Sequence, residues 1–167
     1  MRYLWLIRHA KSAEGAVGQR DHERPLNARG EQDGPNMARW YARQCHKVQW
    51  IWASTATRAQ ATAEFVAQGM QCEVTSEGRL YLASAETILD IIRITPPEVE
   101  GVAVVAHNPG LTHAANMLSQ DAVTDNLVTF ASALFAVEND WADVTFGTNH
   151  FLSLTSPKGL TDPLGSR

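Results

Sequence analysis

Near the amino end the chain reads "YLWLIRHAKS", residues 3–12. The first half of this stretch is apolar without alternation, too short for a helix and rich in β-favouring side chains, so it predicts a strand covered on both faces. The run then stops at Arg8 and His9, with Lys11 and Ser12 close behind. A buried strand that ends this way holds a guanidinium and an imidazole at the rim of a sheet.

Working outward, "VQWIWAS" (48–54), "QCEVTS" (71–76) and "GVAVVAH" (101–107) read as further strands. The segments between them carry helical patterns. In "LNARGEQDGPNMARWYARQCHK" (26–47) a helix is expected to begin at or after Pro35, or to bend there. "TATRAQATAEFVAQG" (55–69) is an alanine-rich helix expected to close at Gly69. "SAETILDIIRIT" (84–95) is amphipathic and must end before Pro96 and Pro97. "NPGLTHAANMLS" follows the fourth strand as another helix. Near the end, "LVTFASALFAVE" and "DVTFGTNHFLSLT" around the turn "NDWAD" predict an antiparallel strand pair. The pattern predicts an α/β fold, a three-layer sandwich with a mainly parallel central sheet and antiparallel strands near the C-terminus.

The 167 residues suit one domain, expected over 1–155, with "SPKGLTDPLGSR" (156–167) as a loose tail. Hydrophobic residues make up 44% and charged ones 19%, enough for a substantial core in an ordinary globular chain. The net charge is -4 and no basic run occurs, which argues against a nucleic-acid arm or a polybasic membrane patch. Cys45 and Cys72 form neither a CxxC pair nor a ligand cluster. With no apolar run approaching the roughly 20 residues of a membrane span and no secretory pattern at the amino end, a cytoplasmic protein, monomeric by default, is expected.

In a parallel sheet, ligands bind beyond the carboxyl ends of the strands. Arg8 and His9 end the first strand, Ser54 through Arg58 follow the second, and His107 with Asn108 ends the fourth. Asn108 suits a helix N-cap and Pro109 a first helical turn, and such a helix start attracts anions. The plainer alternative is a capped helix whose histidine bonds a nearby carbonyl. Arg58 taken alone is a solvated helix arginine, and Arg24, in "DHERPLNARG", could equally pair with Asp21 or Glu23. Together, guanidinium forks and two imidazoles suit phosphoryl transfer.

In this order, "LIRHAKS", "DHERPLNARG", "STATRAQATA", "LYLASAETILDII" and "VVAHNPGL" resemble the histidine phosphatase superfamily, specifically its short SixA-type phosphohistidine phosphatases. The resemblance implies a phosphoglycerate mutase-like fold in which His9 accepts the phosphoryl group and Arg8, Arg58 and His107 complete a catalytic pocket. It implies a phosphate contact from Arg24 and substrate contacts from Asn108 and Ser12. It implies neither metal nor cofactor, and a phosphorylated protein as substrate. Ala10 departs from the family's commoner glycine after the histidine.

Larger superfamily members carry a general acid between the second and fourth strands. In this chain that interval offers Glu86 as the candidate, although an acid on an amphipathic helix is more often a solvated surface residue. A missing acid matters little when imidazole leaves, since its ordinary pKa is about 6.5. Two rivals remain at this level: a phosphatase of small phosphomonoesters, which needs a working acid, and a non-catalytic phosphoprotein-binding module, which needs donors but no nucleophile. His22, His46, His113 and His150 lack ligand spacing and are expected to face solvent or bond carbonyls.

Overall fold

The computed structural model describes residues 1–161. Six strands form one sheet: β1 (Arg2–Arg8), β2 (Trp50–Ala53), β3 (Val74–Ser76), β4 (Gly101–Ala106), β5 (Ser132–Val137) and β6 (His150–Thr155). Their spatial order is β3-β2-β4-β1-β5-β6. β1, β2, β3 and β4 pair in parallel, while β5 runs antiparallel to both β1 and β6. The helices are α1 (Ala28–Ala42), α2 (Thr57–Met70), α3 (Ala85–Arg93), α4 (Gly110–Leu118) and α5 (Pro157–Thr161).

Side-chain alternation along β1 explains the three layers. Leu4 and Leu6 point into one core with α3 and α4, and Trp5 and Ile7 into the other with α1 and α2. All four are buried, each stabilising the fold by about 1.5–3 kcal/mol. A strand with a core on both faces needs apolar residues at every position, which is what the opening run supplies. Trp5, Trp52 and Trp141 are buried with their indole N–H groups donating to His46 O, Thr95 Oγ1 and Val99 O.

Four expectations need correction. Helix α1 starts well before Pro35, because Asn27 caps it by accepting a hydrogen bond from Gly30 N, 3.0 Å away; Pro35 lies within the helix. Helix α2 passes through Gly69 and closes at Gln71, whose φ of 56° is left-handed. Gly69 serves packing instead: a Cβ there would come within 2.4 Å of Ala38 O on α1. A 3-10 turn at Trp141–Asp143 and a loop over 144–148 stand where strand was expected, so β6 begins only at His150 and a long connection joins it to β5. The segment from Ser156, expected to be loose, begins with α5, whose Leu160 packs on the α1/α2 core; residues 162–167 lie outside the described residues. No helix among the described residues is long and apolar enough to cross a membrane.

Candidate active site

Helix α1 leaves β1 toward one face of the sheet and α4 leaves the adjacent β4 toward the other, so the loops diverge and leave a crevice at the carboxyl ends. The crevice is a cavity of about 320 Å³. Arg8, His9, Arg24, Arg58 and His107 line it together with Asp21. Lys11, Ser12, Leu82, Asn108 and Thr129 complete the wall.

His9 is fixed from every side. Its backbone N–H donates to Ala106 O on β4 at 3.2 Å, and its carbonyl accepts from Phe130 N at 3.1 Å, so strand pairing continues past the end of β1. Phe130 adopts a φ of 58°, costly for an aromatic residue, and is buried in the α1/α2 core. The ring of His9 lies 2.8 Å, through Nδ1, from Ala10 O. A carbonyl only accepts, so Nδ1 carries the hydrogen and Nε2 keeps a free lone pair. Ala10 is anchored in turn, its N–H donating to Thr62 Oγ1 (2.8 Å), whose hydroxyl donates to Arg58 O (2.7 Å). Burial, aided by the charges of Arg58, Arg8 and Arg24, draws the His9 pKa down to about 4, against the opposing bond to Ala10. At neutral pH the ring is an uncharged imidazole.

His107 faces it from the end of β4, ring centroids 5.2 Å apart. Its Nε2 shares a hydrogen with Ser54 Oγ across 2.7 Å. Burial first, then the neighbouring His9 and Arg58, lower its pKa to about 3. Among the described residues its Nδ1 is buried without a partner, as are Nε of Arg8 and Nε of Arg58. An orphaned buried polar group costs about 1–3 kcal/mol, and three such atoms belong to side chains lining this cavity, with two more elsewhere at Arg2 Nε and Trp50 Nε1.

The guanidinium groups are held at their outer ends. Arg8 Nη1 donates to Leu127 O at 2.9 Å. Arg58, buried at the start of α2, donates from Nη1 to Asp21 O (2.8 Å) and from Nη2 to Asp21 Oδ2 (3.0 Å). Arg24 donates from Nε to Asp21 Oδ1 (3.0 Å) and from Nη1 to Ala13 O (2.9 Å) and Ser12 Oγ (3.3 Å).

Arg8, His9, Ser12, Arg24, Arg58, His107 and Asn108, all named from the sequence, therefore reach one cavity wall, but Asn108 has another duty. Asn108 gives both amide hydrogens to Asn126 Oδ1 and Leu127 O, and its Oδ1 accepts from Thr112 N and Oγ1. None is left for a ligand, so it fixes the 126–129 loop. Three N–H groups of the first turn of α4 are likewise committed, those of Leu111, Thr112 and His113 donating to His107 O, Asn108 Oδ1 and Pro109 O. Glu86, the candidate acid, is exposed and lines a neighbouring depression with His113 and Met117, not this cavity.

Sequence reasoning missed the supports. Ser54 was placed at the strand edge but had no role, and Thr62 and Tyr81 had none. Tyr81 O–H donates to Asp21 Oδ2, and its ring meets those of His22 and His107 edge-on. His22 bonds Thr55 Oγ1 at 2.8 Å instead of facing solvent or a carbonyl. The only sequence signal for Asp21 is its place three residues before Arg24.

Known proteins share this arrangement of chain. A candidate phosphohistidine phosphatase SixA from Nakamurella multipartitia superposes with a TM-score of 0.80 at 25% identity, over 93% of this chain and 96% of that one. A second candidate SixA, from Agrobacterium tumefaciens, gives 0.78 at 25% identity over 93% and 99%. An uncharacterised Mycobacterium tuberculosis protein is 30% identical over 161 residues, 91% of this chain and 100% of its own. The sequence model of the histidine phosphatase superfamily (branch 1) matches residues 4–81, the span that carries Arg8, His9, Arg24 and Arg58. With a relative matched over its whole length and a fold shared with SixA structures, the chain belongs to the histidine phosphatase superfamily, branch 1.

Proposed function

We propose that this protein is a phosphohistidine phosphatase that works through a phosphorylated His9. The observation that carries the reading is His9 itself: a neutral imidazole with its hydrogen committed to Ala10 O and its Nε2 lone pair free, set among three guanidinium groups. The Nε2 lone pair attacks phosphorus, and the bond from phosphorus to the substrate nitrogen breaks, its electron pair staying on that nitrogen. A substrate imidazole protonated at its other nitrogen departs neutral and needs no proton from the enzyme. Water then attacks the phosphoryl group, the bond to Nε2 breaks, His9 regains its lone pair, and inorganic phosphate leaves with the water's oxygen while the surplus proton goes to phosphate or solvent.

The guanidinium groups of Arg8, Arg24 and Arg58 stabilise the equatorial oxygens in a loose transition state. In this reading the Ser54 hydroxyl donates to His107 Nε2 across their 2.7 Å contact, so the ring's hydrogen sits on Nδ1, where a bound phosphoryl oxygen can accept it. The charge needed for transfer is supplied by these side chains, so a chelator is expected to leave turnover unchanged. Between β3 and β4 the chain has only a short turn and α3, so among the described residues this interval builds no long cover over the cavity, which suits a phosphohistidine displayed on a protein such as a phosphotransfer domain. Both cysteines are free, in keeping with a reducing cytoplasm. The likeness to SixA structures supports the same substrate class.

The test compares initial rates on a phosphohistidine peptide and on an alkyl phosphate. The phosphoramidate should be preferred on the order of 10²-fold or more in kcat/KM, the size a general acid contributes where one is required. Equal turnover of the alkyl phosphate, lost in Glu86→Gln, would favour a small-phosphomonoester phosphatase. Binding without turnover would leave only a phosphoprotein-binding module.

A further inference from the structure

Among the described residues Asp21 is the one acid in the wall of a cationic cavity, and the reaction above makes no use of it. Its carboxylate is shared: Oδ1 accepts from Arg24 Nε and Oδ2 from Arg58 Nη2, each at 3.0 Å, while Tyr81 O–H also donates to Oδ2. Arg58 is doubly engaged, since its Nη1 bonds the Asp21 carbonyl at 2.8 Å. The Asp21 side chain is 47% exposed and that of Arg58 only 3%, so the carboxylate is the solvent-facing member of the pair. The hydrogen bond from Tyr81 and the two guanidinium groups hold its carboxyl well below the usual carboxylate range, which makes its charge permanent at neutral pH.

Resting on the phosphatase reading, we propose that Asp21 is a built-in counter-anion: it offsets part of the charge of Arg24 and Arg58 so that inorganic phosphate, the product, is released rather than retained. The wall otherwise carries Arg8, Lys11, Arg24 and Arg58 as positive groups, with both histidines neutral. Attraction that acts equally on substrate, transition state and product tightens binding without speeding the chemical step. A fixed carboxylate on the donors subtracts from that uniform attraction. It also competes with phosphate oxygens for the same guanidinium hydrogens.

The rival role, a brace that only keeps Arg24 and Arg58 in place, predicts the opposite sign. Removing a brace frees the guanidinium groups and weakens phosphate binding; removing a counter-anion strengthens it. The experiment titrates inorganic phosphate into the full-length wild type and Asp21→Asn by calorimetry, and follows phosphohistidine-peptide turnover in single-turnover and steady-state regimes. Asp21→Asn should bind phosphate on the order of tenfold more tightly, with the gain shrinking at high salt. Phosphoenzyme formation should stay within a few-fold of wild type while steady-state turnover falls, because product release slows. Asp21→Ser, which keeps an oxygen but removes the charge, must move phosphate affinity in the same direction if Asp21→Asn folds poorly. Unchanged or weaker phosphate binding in these variants, with the wild type still forming phosphoenzyme, overturns the counter-anion role. A wild type that forms no phosphoenzyme instead defeats the phosphatase reading on which it rests.

Discussion

The rings of His9 and His107 lie 5.2 Å apart, centroid to centroid, and are tilted by 55°. They stand at the ends of adjacent parallel strands, 98 positions apart in sequence but joined by the bond from His9 N to Ala106 O. A group bound between them meets an imidazole lone pair on one side and the second ring on the other. Replacing His107 with Ala should lower kcat by about 10²–10³-fold, the range seen when one donor to a developing oxyanion is lost, while phosphoenzyme still forms slowly on His9. Single-turnover kinetics separates this from a loss of folding.

Stability should fall on acidification through a window set by the two buried rings. Each has a folded pKa, about 4 for His9 and about 3 for His107, below the ordinary value of about 6.5. Below pH 6.5 the unfolded chain takes up protons that the folded protein refuses, so their contribution is complete above that pH and is lost as pH falls toward 4 and 3. The loss is on the order of 3 kcal/mol per ring. Thermal melts from pH 7 to 4 should show it, and His107→Asn should flatten the dependence. The acid limb of kcat/KM, measured on a substrate stable to acid, should lie near pH 4 rather than 6.5.

Thr62 has no contact with a substrate in this account, yet it anchors the catalytic loop. Its hydroxyl accepts from Ala10 N and donates to Arg58 O. Thr62→Val keeps the shape and strands the buried Ala10 N–H, at about 1–3 kcal/mol. Melting temperature should drop by several degrees, and kcat should fall more than KM changes, since the Nδ1 acceptor of His9 is the Ala10 carbonyl. Unchanged kcat would mean that the Ala10 peptide is held by other bonds.

Gly110 tests the packing behind the site. A Cβ there would sit 1.7 Å from Ala83 O, so the start of α4 could not stay on the 83–84 loop. Gly110→Ala should destabilise by about 1–3 kcal/mol or more, the usual cost of overpacking. Gly78→Ala, where nothing lies within 4 Å, should be nearly neutral in the same denaturant titration.

How legible the molecule was from its sequence depended on the range of the forces involved. β1, β4 and the ends carrying Arg8, His9 and His107 were readable because burial on both faces demands an uninterrupted apolar run. The start of α1 was misplaced because Pro35 signals a break locally, whereas the cap at Asn27 sets the start. Gly69 looked like a terminator but answers to a neighbouring helix, which sequence spacing alone does not reveal. Ser54, Thr62 and Tyr81 were invisible as parts of the site for the same reason: their partners are His107, Ala10 and Asp21, each more than 50 positions away. Glu86 was a candidate by interval, while α3 presents it to a neighbouring depression, a direction the interval does not encode.

The most direct measurement mixes the protein with a labelled phosphohistidine donor and maps label on the denatured chain. Acid-labile, alkali-stable label on His9 is expected in the wild type and none in His9→Ala. Label that persists in His9→Ala, or a wild type that turns over substrate without ever carrying label, would contradict it.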